Sequence, residues 1–435
     1  MNNFMKKIIG ILLIFIITGC SGSNEDLTIE PITQMPVTEN PQQIYYSNLI
    51  EAMQNFDFES NPEQDLTAAQ SQFKQGLQFI TTGRYEEAES IFSTLRTNTA
   101  DSALAHYSGK ILIELLYLQS KWQDLVALDS TTEGGLDSNN TAALVKAYSQ
   151  APPEKIIFPE NEVELPLELS LSGVPQIEVE VHGMKKNFWI DTGASYSVLA
   201  ADFAEKCGIQ PIGTEKALAG TSTDARVEIR PTIIDEMKIG DIVIKNHPAM
   251  IMNKSDLEFK LFGLIRILKI DGIIGWNAIR QMDLTLDYKG GKAIIASPVL
   301  SENEERNLLW LGYPILKPKN LSGTPLLFGF DNGANETCIS PNIFSKIDTS
   351  GSTIETIAVG GAGGNLQKFK AATIPQVSFV LAQNRLTFKN INAIDKTDEV
   401  FFQFDGIIGS DIAQNGSIRL DFTNGRFDLT VAKEE

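Results

Sequence analysis

Phe188-Trp189-Ile190-Asp191-Thr192-Gly193-Ala194-Ser195 returns 140 residues later as Phe328-Gly329-Phe330-Asp331-Asn332-Gly333-Ala334-Asn335. In both copies an apolar strand runs into Asp-X-Gly-Ala. A second pair of landmarks keeps the order. Asp271-Gly272-Ile273-Ile274-Gly275 lies 80 residues after the first aspartate, and Asp405-Gly406-Ile407-Ile408-Gly409 lies 74 after the second. Similar endings follow each, Leu284-Thr285-Leu286-Asp287-Tyr288 and Ser417-Ile418-Arg419-Leu420-Asp421-Phe422. Landmarks repeated in one order at nearly one spacing identify an internal duplication. The chain therefore reads as two copies of one β-rich lobe, residues 151–300 and 301–435, joined by a short segment around Ser301 to Arg306.

The β reading comes from short alternating runs that begin after Pro152-Pro153: Val163 to Leu171, Gln176 to Val181, Val227 to Ile234 and Ile242 to Ile244, separated by Gly, Asn, Asp and Pro. Upstream, residues 45–150 change character. Proline becomes scarce and apolar residues recur at helical spacing, as in Phe73, Leu77, Ile80 and Ala88, Ile91, Phe92, Leu95. Gly76, Phe79, Gly83-Arg84-Tyr85, Ala88 and Phe92 resemble one tetratricopeptide repeat, and a poorer copy runs from Ala103 to Leu128 with Trp122 and Leu125 in its second helix. Two repeats are fewer than a free-standing solenoid needs, so this unit is expected to pack on its neighbour. It could bind a protein partner or serve only as a spacer.

Residues 20–44 are Asn, Glu, Thr, Pro and Gln with too few apolar groups to offset ordering entropy, and read as a disordered tether reaching about 25 Å on average. Residues 1–19 read as an export signal: Lys6-Lys7 precede an apolar run, Ile8 to Ile17, too short to span a bilayer. The run ends in Ile17-Thr18-Gly19-Cys20, which resembles a bacterial lipoprotein lipobox. The resemblance implies lipidation at Cys20 and a location in the bacterial cell envelope, outside the cytoplasm and held to the membrane by acyl chains.

The 435 residues are 43% hydrophobic and 21% charged, enough for several domains with buried cores. With 55 acidic against 36 basic side chains the formal charge is −19, which argues against nucleic acid as a partner. Removing residues 1–19 takes away two lysines and no acids, leaving −21, so attachment to anionic lipid has to come from acyl chains. Three cysteines and three histidines, none at metal-ligand spacing, leave no metal site and no disulfide framework. His106, His182 and His247 are scattered and receive no role.

The chemistry is carried by the duplicated aspartate. A single Asp-Thr-Gly or Asp-Asn-Gly is most often a surface turn. Two copies, each after an apolar strand and each before an apolar-apolar-Gly, are a different matter. If the lobes pair about a pseudo-two-fold, Asp191 and Asp331 lie side by side, and like charges at that distance share a proton. Such a pair can hold one water, take its proton as it attacks a peptide carbonyl, and return a proton to the leaving nitrogen, with no cofactor.

The set of motifs resembles the retropepsin-like aspartic proteases, more specifically bacterial aspartyl-protease-like domains in tandem, over roughly residues 160–435. The resemblance implies catalytic Asp191 and Asp331, with Thr192, Gly193, Ala194, Asn332, Gly333 and Ala334 supporting the two turns. It also implies two flaps, placed at Gly220-Thr221 and at Gly360, Gly361, Gly363 and Gly364. The glycine-rich second flap is not a phosphate cradle, since no Gly-Lys-Ser/Thr follows. One departure is Asn332, where the family has threonine or serine. Two functions follow. The first is a membrane-anchored aspartic endopeptidase acting on peptide or protein substrates, and the second a catalytically weak or inactive peptide-binding scaffold derived from one. The fold class expected is multidomain: an α-helical, tetratricopeptide-like unit, then two mainly β retropepsin-like lobes.

Overall fold

Thr67 opens a helix of the amino-terminal half with a reciprocal cap: its Oγ1 accepts from Gln70 N–H, and Gln70 Oε1 accepts from Thr67 N–H. Caps of this kind contribute about 1 kcal/mol. In the computed structural model of the chain the helices of this half are α1 (Leu49–Gln54), α2 (Ala68–Thr81), α3 (Tyr85–Asn98), α4 (Ser102–Leu118), α5 (Trp122–Asp129) and α6 (Asn139–Tyr148). The structure describes residues 12–13, 17–18, 27–32, 48–57, 66–129, 139–213, 216–221, 226–261, 265–301, 306–360, 367–394 and 402–431. Cys20 and flap glycines Gly361, Gly363 and Gly364 lie outside them, as do most of residues 1–19.

Gly83, at φ +74°, turns the chain between α2 and α3. Gly76 lets those helices meet: a Cβ there would fall 2.7 Å from Phe92 Cζ. Phe73, Leu77, Phe92, Ile111 and Leu115 form a core that does not close on itself. It continues into Leu309, Leu311, Ile315, Phe402 and Phe404 of the β region. At the far side Leu118 and Tyr148 enter a second core with Val198 and Phe203. The helical unit thus buries its apolar faces against the β region, which is mainly β to the end of the described chain.

Two large sheets share one strand order. The first runs Glu168–Leu169, Pro175–Val181, Met184–Ile190, Gly272–Ile274, Ser197–Ala200, Ile242–Met252, Arg226–Ile239, Ala217–Thr221. The second runs Leu308–Trp310, Pro314–Leu316, Phe328–Phe330, Gly406–Ile408, Cys338–Ile339, Asn384–Ala393, Gln367–Leu381, Thr353–Gly360. Both apolar-apolar-Gly strands occupy one place in the order, parallel to the strand that ends in the motif aspartate: Ile273 opposite Trp189, and Ile407 opposite Gly329.

The repeated endings meet in a third sheet, ordered Val163–Pro166, Lys292–Ala296, Asp283–Asp287, Gly416–Asp421, Arg426–Val431. Leu284 pairs with Leu420 and Leu286 with Ile418 across the halves, and Arg419 forks onto Asp283 at 2.8 and 2.6 Å.

Leu27–Pro31, inside the stretch expected to be a disordered tether, is a strand on the Asn384–Ala393 edge, with Ile29 opposite Leu386. Backbone pairing explains it: an open sheet edge supplies hydrogen bonds that composition does not reveal, and half-buried Leu27 and Ile29 pack on the core. Leu12–Leu13 and Ile17–Thr18 likewise pair by backbone with Gly220–Thr221 and Val359–Gly360.

Candidate active site

Each motif aspartate ends a central strand and is fixed by the strand beside it. Asp191 N–H donates to Ile274 C=O at 3.0 Å, and Asp331 N–H donates to Ile408 C=O at 2.9 Å. The chain then turns sharply, so that amides point back at the carboxylate. Asp191 Oδ1 accepts from Gly193 and Ala194 N–H at 2.8 and 3.1 Å; Asp331 Oδ1 accepts from Gly333 and Ala334 N–H at 2.9 and 3.2 Å. The glycines are required by the opposite turn rather than by their own: a Cβ on Gly193 would lie 2.5 Å from Asp331 Cγ, and one on Gly333 2.5 Å from Asp191 Cγ. The later glycines act similarly. A Cβ on Gly275 would strike the Tyr196 backbone at 2.3 Å, and one on Gly409 the Glu336 backbone at 2.7 Å.

Asp191 and Asp331 are both fully buried and face one another. Burial raises the pKa of Asp191 well above the usual carboxylate range, and the charge and hydrogen bond of Asp331 raise it further. Burial also raises that of Asp331, against the hydrogen bonds from Asp191, Gly333 and Ala334. The two titrate as one unit, which holds a proton over a pH range where an exposed aspartate has none.

Thr192 and Asn332 lock the turns together. Thr192 Oγ1 donates to Phe330 C=O at 3.1 Å and accepts from Asn332 N–H at 3.0 Å; in return Thr192 N–H donates to Asn332 Oδ1 at 2.7 Å. Because that neighbour is an N–H, the amide oxygen has to face it, which fixes the Asn332 orientation chemically. Asn332 therefore supplies the acceptor that a hydroxyl would supply. Its Nδ2 is buried against the Tyr288 phenol, whose pKa burial raises and the Asn332 amide works to lower.

Of the flap residues, Gly220 and Thr221 lie at the end of the strand Ala217–Thr221 and Gly360 ends the strand Thr353–Gly360. Glycine marked the flap regions, but the strand pairing runs up to them.

Two features went unread in the sequence. The Tyr313 phenol stands beside the pair, its pKa raised well above normal by burial and then by the charges of Asp331 and Asp191. A Cβ on Gly329 would touch its ring at 2.7 Å, so the glycine in Phe328-Gly329-Phe330 makes room for it. His247, given no role, is buried, with Nδ1 on Glu154 and Nε2 2.8 Å from Ser197 Oγ. Burial works to raise the pKa of Glu154, but His247 and Gln281 together hold it low. The Ser197–His247–Glu154 chain has the connectivity of a nucleophilic triad. Ser197 Oγ, however, is buried, accepts from Gly275 N–H at 3.1 Å and lies 3.3 Å from Asn277 Oδ1, so the chain ties strands together and presents no nucleophile. Cys207 and Cys338 are buried and form no disulfide. Among the described residues no group of three or more His, Cys, Asp or Glu could hold a metal ion.

Residues 177–278 match the aspartyl protease family model. The chain is 29% identical over 105 residues to an uncharacterized protein encoded in the cobV 5′ region of a Sinorhizobium species; the match covers 24% of this chain and 45% of that protein. The chain thus spans less than half the length of that relative. A crystal structure of a retropepsin-like aspartic protease from Rickettsia conorii aligns with 33% of this chain and 92% of its own, at 18% identity and a TM-score of 0.22. The family match takes in Asp191-Thr192-Gly193-Ala194 and Ile273-Ile274-Gly275 and supports an aspartic protease in general terms.

Proposed function

We propose that the chain is an aspartic peptidase in which Asp191 and Asp331 activate one water. The observation that carries this reading is the pair of facing, buried carboxyls whose Oδ1 atoms are held by the amides of their own turns. In the singly protonated pair the ionised carboxylate takes a proton from the water as its oxygen bonds to the peptide carbonyl carbon, and the protonated carboxyl donates to the carbonyl oxygen. The C–N bond then breaks as a proton passes to the nitrogen. Amides aimed at each Oδ1 keep the carboxyls oriented throughout.

The two eight-strand sheets are, in this reading, lobes related by a pseudo-two-fold, so one chain supplies both halves of the site. The flap strands are expected to take an extended substrate by backbone pairing, a mode already used by Leu12–Leu13 and Ile17–Thr18. The tetratricopeptide-like unit is proposed as part of the enzyme's wall rather than a separate module. Anchoring through Cys20 is proposed on the lipobox alone. Only six residues separate that cysteine from the strand at Leu27, a span of at most about 25 Å, so the second sheet would sit close to the membrane. A Cys20→Ala variant that stays with detergent on phase partitioning would end that assignment.

The second reading, a scaffold with weak turnover, rests on Asn332 standing where the resembled family has threonine or serine. Incubation of the purified chain with a diverse peptide library between pH 3 and 8, with mass-spectrometric detection of new termini, decides between them. Cleavage that is lost in Asp191→Asn supports the peptidase; no cleavage at any pH supports the scaffold.

A further inference from the structure

Beside the paired turns lies a cavity of about 80 Å³, bounded by Thr192, Gly193 and Ser195 on one side and the turn Trp310 to Pro314 on another. The helical unit closes it: Glu114 and Tyr117 of α4 and Trp122 of α5 form part of the wall. Three of the chain's four tryptophans line it, Trp122, Trp276 and Trp310, together with the rings of Tyr117, Tyr196 and Tyr313. Tyr117 packs edge-on against both Trp122 and Tyr196, at 5.2 and 5.8 Å between centroids, so the walls are fixed by one another. About 12 Å³ of such space holds one water, so the cavity has room for a group of several heavy atoms.

Its charges are unequally answered. Arg280 donates to Ser120 Oγ at 3.1 Å and faces the charge of Glu154, which is itself held by His247 and Gln281. Glu114, in contrast, has no hydrogen-bond or ion-pair partner among the described residues, and its burial alone lifts its pKa to about 7. A half-buried carboxyl with no such partner, walled by aromatic faces, is the arrangement that accepts an ammonium group, through charge and cation–π attraction.

The cavity also sits at only one of two comparable places. Tyr313 lies 18 residues before Asp331, and Gly173 lies 18 residues before Asp191. At the second place a Cβ on Gly173 would fall 3.7 Å from Asn335, and the adjoining Leu171 is 85% exposed among the described residues. One side of the site is stopped by the helical unit, and its counterpart is open.

We infer that the Glu114 cavity binds the ammonium group of a peptide substrate, its free α-amine, and so sets the cut a short distance from the substrate's amino terminus. This rests on the peptidase reading for its second half only. The test uses the full-length chain carrying Asp331→Asn, in which nothing is cleaved, and calorimetric titration at pH 8 with trialanine amide, N-acetyl-trialanine amide and N-acetyl-lysine amide. The free amine should bind at least tenfold more tightly than its acetylated form, and Glu114→Gln should reduce that ratio to within threefold. If the lysine derivative binds as tightly as the free amine, the ammonium comes from a side chain and the cavity chemistry stands. Equal binding of all three probes, or a ratio unchanged in Glu114→Gln, overturns the inference. In the parent chain, cuts clustered within a few residues of a free amino terminus complete it. Ammonium preference without any cleavage removes the peptidase reading alone, and cleavage indifferent to acetylation removes this inference alone.

Discussion

Replacing Asp331 with Asn should stabilise the folded chain at alkaline pH while it stops turnover. Asn is nearly isosteric, its Oδ1 can still accept from Gly333 and Ala334 N–H, and its Nδ2 can donate to Asp191. The pKa of Asp331 rises from 3.8 in the exposed chain to about 7 in the fold, so between those values the native state binds more protons than the unfolded state. Stability of the parent therefore falls as pH climbs through that window, and the loss is complete above it. At about 1.4 kcal/mol per pH unit the ceiling is about 4 kcal/mol, and sharing of the proton with Asp191 brings the expected difference to about 2 to 4 kcal/mol. The variant carries no such cost at this position. With a urea dependence of about 3 kcal/mol per molar, its unfolding midpoint should exceed the parent's by about 1 M at pH 8 and match it near pH 4. A difference that does not change between pH 4 and pH 8, or a variant less stable at pH 8, would refute the claim that the two carboxyls share a buried site.

Asn332→Thr should leave the Thr192 N–H satisfied through the hydroxyl but remove the amide beside the Tyr288 phenol, so stability should change by less than about 1 kcal/mol and peptide cleavage should be retained; loss of cleavage contradicts the geometry of the lock. Gly333→Ala places a methyl 2.5 Å from Asp191 Cγ, so cleavage should fall by at least a hundredfold with a cost of about 1 to 3 kcal/mol in denaturant melts. Lys346→Met strands the fully buried Asp405, whose Oδ2 lies 2.8 Å from Lys346 Nζ, and should cost about 3 to 5 kcal/mol; a cost under 1 kcal/mol would mean that Leu327 N–H alone suffices to hold that carboxylate.

The paired turns were legible because each of their requirements is written as one residue type at a fixed place in both copies. Gly193, Gly333, Gly275 and Gly409 each leave room for a neighbouring carboxyl or backbone, and such room can only be left by glycine, so the letters recur at fixed spacing. The same holds for the repeated endings, which pair with one another in the third sheet. What the sequence hid depends on distant partners. His247 meets residues 93 and 50 positions away, and Glu114 reaches a turn near residue 312, so no spacing announces either. Asn332 read as a defect because the residue type was visible and its acceptor oxygen's target was not. Leu27–Pro31 read as tether because backbone pairing at a sheet edge asks little of composition.

Peptide cleavage by the parent, by Asp191→Asn, by Asp331→Asn and by an equimolar mixture of the two variants tests most directly whether one chain builds one catalytic pair. The account predicts that the parent cleaves with a bell-shaped pH profile, and that each variant and the mixture fall by at least a thousandfold. Cleavage by Asp331→Asn at the parent's rate, or activity restored on mixing, would contradict it.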